Sequence, residues 1–233
     1  SLLHGIQEAK MRNLLTALAA STMLTGMAHA AEIYPLDRAT ILARSPFDFK
    51  VELDAVHGEA DVAVLVNGKP YAEVFSKPAE FVAEEKDGEG KVLGSALILR
   101  DLALAEPGQY VVEVKAGDET KSVTWDVYTT PEVAKAKNII FIVGDGLSVA
   151  HRTAARIMSK GMTEGKADGR LAMDDLDHMA FIGTSSTHSI ATDSANTMSA
   201  YMTGHKSRVN ALGGYADRTA PSQDDPKVET VAE

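Results

Sequence analysis

The stretch NIIFIVGDG, Asn138 to Gly146, decides how the second half of this chain is read. Its apolar residues run without polar alternation and stop at Gly144-Asp145-Gly146. A short continuous apolar run bounded by glycines describes a strand buried on both faces, as in the centre of an α/β sheet. Downstream, LSVAHRTAARIMSKG (147–161) sets Ala, Ile and Met on one side of a helix, with Gly161 as its stop. MAFIGTSST (179–187) repeats the buried-strand pattern, and DSANTMSAYMTG (193–204) predicts a second helix. Strand, helix, strand, helix points to a parallel sheet covered by helices over residues 138–233. QDDPKVETVAE, near the end of the chain, predicts a further helix with Asp225 as N-cap, Pro226 in first position and Glu229 in the first turn. Two parallel strands alone leave open edges. The chain is therefore expected to be the front part of a longer protein, its α/β sheet incomplete here.

Upstream the grammar differs. FDFKVELD (47–54) and VAVLVNGK (62–69) alternate apolar with polar residues, the second ending in an Asn-Gly turn signal. SALILRDLAL follows the Gly- and charge-rich EEKDGEGK, and GQYVVEVKAGDETKSVTWDVY (108–128) reads as two strands joined by a Gly-Asp turn. Residues 31–128 thus predict a small all-β sandwich, immunoglobulin-like in shape, with the single Trp125 in its core. It carries no chemistry of its own and reads as an accessory or packing domain. TTPEVAKAK (129–137) is a polar, Pro-containing linker. At the start, Lys10 and Arg12 precede the uncharged LLTALAASTMLTGM (14–27) and Ala28-His29-Ala30. This is the order of a secretory signal over about residues 11–30. The apolar run is shorter than the roughly 20 residues of a spanning helix, so no stable membrane anchor is expected. The address is periplasmic or secreted, and Ser1–Lys10 is set aside from the fold.

The 233 residues are 45% hydrophobic and 24% charged, enough for a sizeable core. A net charge of −10 argues against nucleic acid as a partner. With no cysteine, disulfides and thiolate chemistry are excluded, and any metal must be held by Asp, Glu, His or hydroxyl ligands. Two loops could carry chemistry. Asp145 lies at the C-terminal end of the first apolar run, the edge at which open α/β sheets bind ligands. Its carboxylate suits a divalent cation, although Gly-Asp-Gly equally describes a tight turn. Asp193 and Ser194 open the second helix, whose N-terminus attracts anions such as phosphate. A serine there can attack phosphorus if a bound cation activates its hydroxyl. The plainer reading is that Thr192 or Asp193 caps the helix. His151, His178, His188 and His205 are scattered and read as surface or loop residues. DDLDH (174–178) resembles a metal cluster but fits a polar helix end. A triad of Ser194 with His188 or His205 lacks the G-x-S-x-G elbow.

KNIIFIVGDGLSVAHRTAAR and TDSANTMSAYMTGHKSRVNALGG, in this order, resemble the alkaline phosphatase family: its strand with a Gly-Asp-Gly loop and its Asp-Ser-Ala helix ending in Thr-Gly-x-Lys. PKVETVAE resembles the start of the family's next helix. The likeness covers Lys137–Glu233 and not the β-rich half. It implies an alkaline phosphatase-like parallel sheet with helices on both faces, and phosphomonoester hydrolysis through a phosphoserine intermediate. Ser194 would be the nucleophile and a metal ligand, Asp145 would bridge a zinc and a magnesium ion, and Asp193 would position the phosphate-gripping arginine. Two zinc ions and one magnesium would be the cofactors and a phosphate monoester the substrate, with a homodimer as one assembly open to it. Ser148 departs from the glycine or other small residue that many members carry after the loop. The family's remaining metal ligands would lie beyond Glu233, so this fragment alone is expected to be inactive. A phosphodiesterase or sulfatase of the same superfamily is one rival reading. A secreted, non-catalytic β-sandwich binding module is another.

Overall fold

The computed structural model describes residues 31–86, 89–219 and 224–232. The signal-like segment lies outside them. Nine strands build a two-sheet sandwich: β1 (Ala31–Tyr34), β2 (Thr40–Leu42), β3 (Phe47–Leu53), β4 (Val62–Val66), β5 (Lys69–Pro70), β6 (Glu80–Lys86), β7 (Val92–Leu102), β8 (Gly108–Ala116) and β9 (Glu119–Tyr128). One sheet has the order β1-β3-β7-β6 and the other β2-β9-β8-β4-β5. All pairings are antiparallel except β2 with β9. A short helix, α1 (Tyr71–Phe75), joins β5 to β6.

Local chemistry explains the ladder. Asn67 and Gly68 take φ of 50° and 77°, so the β4–β5 hairpin turns in the left-handed region that Asn and Gly tolerate. In β8 and β9 every second residue faces inward: Val112, Val114 and Ala116 on one strand, Val123, Trp125 and Val127 on the other. They meet Ile33, Phe49, Val51 and Leu53 of the opposite sheet in one core. Trp125 is fully buried. Its rings stand edge-on to Phe47 and Phe49, with centroids 5.7 and 5.9 Å away, and Nε1–H donates to the Pro35 carbonyl at 2.8 Å. A buried indole without that acceptor would leave its donor unsatisfied.

β3 breaks the usual rule for such a sheet. Alternation normally leaves the charged face in water, yet every residue from Phe47 to Leu53 is buried. Phe47, Phe49, Val51 and Leu53 join the core, while Asp48, Lys50 and Glu52 lie beneath residues from the C-terminal segment. That segment does not form the expected helix at Asp225-Pro226. Lys227 instead bridges to Gly214 and Val228 to Phe47, both antiparallel. Asp225 is engaged from outside its own segment: Arg208 approaches its carboxylate at 2.5 Å and the Asp217 N–H donates to it at 3.3 Å. These contacts replace the helix cap.

In the second half the two helices form where periodicity puts them, as α2 (Val149–Lys160) and α3 (Ser194–Thr203). The parallel sheet between them does not form among the described residues. NIIFIV and MAFI are irregular, and Ile140 and Phe181 are 86% and 90% exposed. A parallel strand needs backbone partners along its length, and neither segment has them. The all-β half of the expected architecture is present, whereas the α/β half is represented by its helices and loops.

The sandwich core makes a direct prediction. Trp125→Ala should destabilise the β-sandwich by about 3–5 kcal/mol, read by denaturant unfolding with far-ultraviolet circular dichroism. Trp125→Phe, which keeps the rings packed but loses the bond to Pro35, should cost less. Equal losses for the two would show that packing against Phe47 and Phe49 contributes little.

Candidate active site

The site starts from two helix N-termini. At α3, Asp193 has extended backbone, and its carboxylate accepts the Asn196 N–H at 2.9 Å. The Asn196 side chain returns the contact, accepting the Asp193 N–H at 3.1 Å, and Thr192 Oγ1 donates to the same oxygen at 2.6 Å. This reciprocal box satisfies donors that the first turn of a helix leaves free. The second Asp193 oxygen accepts the Asn210 N–H at 2.5 Å. The backbone donors of Asn196 and Asn210 hold the Asp193 carboxyl below the ordinary aspartate range. The helix ends at Gly204, whose φ of 81° favours glycine.

Ser194 is the first helical residue of α3 and is exposed. Its hydroxyl donates to Asp145, 2.9 Å from Oδ2 and 3.1 Å from Oδ1. Asp145 is held in a turn closed by the Leu147 N–H on the Gly144 carbonyl at 3.1 Å. Gly146 takes φ of 68°, and a Cβ on Gly144 would come within 2.7 Å of the Leu147 side chain. Both glycines are therefore required by the backbone that presents the carboxylate. Ser148, the residue that departs from the family pattern, caps α2: its Oγ accepts the His151 N–H and lies 2.8 Å from His151 Nδ1. The hydroxyl at this position thus starts a helix.

Asp145 and Ser194 are brought together across 49 residues of sequence. Asp193 turns the other way, toward Asn196 and Asn210, and acts as a cap. Among the described residues no hydrogen bond joins Ser194 to His188 or His205. His188 Nδ1 meets Thr187 Oγ1 at 2.9 Å. His205 packs on the Tyr215 ring at 4.8 Å, where burial lowers its pKa and favours the neutral imidazole. In DDLDH, Asp174 accepts from Arg152 Nε at 2.7 Å, from both Arg156 nitrogens at 2.7 and 2.8 Å and from the Leu171 N–H at 2.9 Å. Those donors, Arg156 foremost, hold Asp174 well below the usual carboxylate range. The cluster is thus an anchor for α2. Arg152 and Arg156 lie one helical turn apart and so share a face, but nothing in that spacing names Asp174 as their partner.

One grouping had only a faint signal. Ligand atoms of Glu52, Glu84 and Asp217 lie within 4.8 Å of one another, the separation of a metal centre. Lys50 Nζ already stands among them, 2.5 Å from Glu84, 2.7 Å from Asp217 and 3.3 Å from Glu52. The place of a cation is taken by an ammonium group. For zinc and magnesium the fit rests on Asp145 and Ser194, which offer oxygen donors suited to a hard cation. Four-coordinate zinc needs further ligands.

A family profile described as alkaline phosphatase matches residues 136–233, starting after the sandwich. The alkaline phosphatase of Gadus morhua is 40% identical over 81 residues, covering 34% of this chain and 17% of that protein. The tissue-nonspecific isozyme of Gallus gallus is 37% identical over 85 residues, covering 36% of this chain and 16% of that protein. The chain therefore spans only a small part of the curated relatives it matches, and the resemblance to the alkaline phosphatase family belongs to its second half. Among solved structures, surface layer protein SbsC, domains 4–9, aligns with a TM-score of 0.25 at 16% identity over 45% of this chain and 15% of that one.

The cap makes its own prediction. A carboxyl whose folded pKa is lowered stabilises above its unfolded value and loses that contribution as pH falls through the folded value. Amide protection in the first turn of α3 should therefore weaken only below pH 3.8, the ordinary value for the group. Asp193→Ala should reduce that protection roughly fivefold at neutral pH, and Asp193→Asn less. Hydrogen exchange at Asn196 and Thr197 measures both. Unchanged exchange in Asp193→Ala would remove the capping role.

Proposed function

We propose, from the alkaline phosphatase likeness of residues 136–233, that the whole protein hydrolyses phosphate monoesters with Ser194 as nucleophile. The single observation that carries the reading is the hydrogen bond from Ser194 Oγ to Asp145 at 2.9 Å, made at the first residue of a helix. The carboxylate accepts the hydrogen bond from Oγ–H, and Ser194 is exposed. Helix N-termini carry partial positive charge, which favours a phosphate at Ser194 once a bound cation offsets the Asp145 carboxylate. Asp193 keeps that first turn wound, and Ser199 lets it pack closely on Gly213, whose N–H donates to Ser199 Oγ at 2.8 Å.

The reaction follows from these positions. Ser194 Oγ attacks phosphorus and passes its proton to the Asp145 carboxylate that already accepts it, while the P–O ester bond breaks on the far side and the leaving alkoxide takes a proton from water. Water then attacks phosphorus, the bond to Ser194 Oγ breaks, phosphate leaves and the proton held at Asp145 returns to the serine. Bound at Asp145 and Ser194, the zinc and magnesium that the resemblance implies would lower the pKa of the serine hydroxyl. Two oxygen donors do not complete such a centre, which supports the reading that residues 31–233 alone are inactive. Asp193 as a positioner of a phosphate-binding arginine and a homodimeric assembly belong to the same proposal. So does export through residues 11–30 to the periplasm or exterior. Among the described residues no helix is long and apolar enough to cross a membrane.

With p-nitrophenyl phosphate at alkaline pH, the full-length protein should turn over and form an acid-stable phosphoenzyme. Ser194→Ala should abolish the phosphoenzyme and lower kcat by at least about a thousandfold. Asp145→Asn should lower kcat and metal content together. Residues 31–233 alone should give no turnover. A Ser194→Ala protein with parent activity would end the nucleophile assignment, and faster turnover of a phosphodiester than a monoester would move the substrate class.

A further inference from the structure

Lys50, in the middle of β3, has a fully buried side chain on the face away from the sandwich core. Its ammonium lies 2.5 Å from Glu84, 2.7 Å from Asp217, 3.3 Å from Glu52 and 3.7 Å from Asp224. Glu52 and Glu84 belong to the sandwich, whereas Asp217 and Asp224 come from the C-terminal segment. Burial opposes a charge here, but the hydrogen bonds to Asp217 and Glu84 outweigh it and hold the Lys50 pKa above the ordinary lysine range. Burial likewise pushes the Glu52 carboxyl upward, with the Lys50 charge opposing. Taking either partner away leaves a buried charge uncompensated.

The same face is stitched to the segment at further points. The Arg218 N–H donates to both Glu52 oxygens at 3.1 Å, and its guanidinium reaches the Leu53 carbonyl at 2.8 Å. Asp48 accepts the Lys227 N–H at 3.1 Å, and the Asp48 N–H donates to the Lys227 carbonyl at 2.8 Å. From there the connections run to the serine helix. Asp217 accepts from Arg208 at 2.6 Å. Between those two residues, the Asn210 N–H binds Asp193 at 2.5 Å and the Gly213 N–H binds Ser199 at 2.8 Å. Ser199 Oγ donates to the Ala211 carbonyl at 3.3 Å. A continuous path therefore leads from Lys50 through Asp217 and residues 208–213 to the cap beside Ser194.

We infer that the β-sandwich is the seat of the serine helix, and that Lys50 is a positioning residue that holds Ser194 through Asp217 and residues 208–213. Its catalytic consequence rests on the nucleophile reading above, while the docking itself does not. The test uses the full-length protein with Lys50→Met, Asp217→Asn and the double variant that carries both. Lys121→Met, which breaks the outlying pair with Glu32, serves as control.

Hydrogen exchange in residues 193–204 and 207–219 should accelerate about tenfold or more in Lys50→Met, with β8 and β9 unchanged. The double variant should lose no more protection than the worse single variant, because both residues act on one path, and the control should match the parent. In the same proteins kcat should fall about tenfold in Lys50→Met with KM within about twofold, and by a similar factor, not the product of two losses, in the double variant. Asp217→Asn carries the same expectation should Lys50→Met not fold. Exchange that rises equally in β8 and β9, or that stays at the parent level in 193–204, overturns the inference. The local pattern in a parent protein without phosphatase activity would keep the docking and sink the nucleophile assignment.

Discussion

A buried ammonium ion among carboxylates governs how the two halves of this protein meet. Lys50 has no access to water, and its charge is stable there only while Glu84 and Asp217 both stay within hydrogen-bond distance. That requirement ties a strand of the sandwich to a segment far along the chain, since Lys50 and Asp217 are 167 residues apart. Nearby, the Asp225 carboxylate is held by Arg208 and the Asp217 N–H, and the Lys227 N–H is held by Asp48, in place of the helix that Asp225-Pro226 would otherwise begin. Local propensity is worth tenths of a kcal/mol per residue, whereas leaving a buried charge unpaired costs several. Charge pairing therefore sets the conformation of this segment.

Within the second half, three neighbouring side chains divide the work by direction. Asp193 faces back along its helix and satisfies backbone donors. Ser194, one residue on, faces outward and meets Asp145. Asn196 closes the first turn from inside. The division follows from helix geometry, in which consecutive residues point about 100° apart. An Asp-Ser pair at a helix start thus allows both a cap and a presented hydroxyl. The two readings of that dipeptide are compatible.

Much of the β half was legible from pattern. The period of two in GQYVVEVKA and ETKSVTWDVY, the Asn67-Gly68 turn and the lone tryptophan all reflect short-range physics, and each appears where pattern puts it. The helices α2 and α3 were equally legible, since Ser148, Gly161, Asp193 and Gly204 are local start and stop signals. The runs NIIFIV and MAFI were a different matter. Their composition says that they belong in a sheet interior, but a parallel strand exists only when neighbours supply its hydrogen bonds. Those neighbours are not encoded in the run itself.

The sequence by itself determined which segments alternate, which turn and which cap, and it marked Asp145 and Ser194 as residues at the ends of two loops. It did so because turns, caps and periodicity depend on residues within a few positions of one another. Tertiary structure alone decided that Asp145 and Ser194 meet through a direct hydrogen bond without the parallel sheet expected to align them, and that Arg152 and Arg156 are spent on Asp174. It decided too that the charged face of β3 is buried rather than wet. These outcomes depend on which carboxylate meets which cation across distant parts of the chain. Coulomb attraction and desolvation act through space, so no local pattern in the sequence records them.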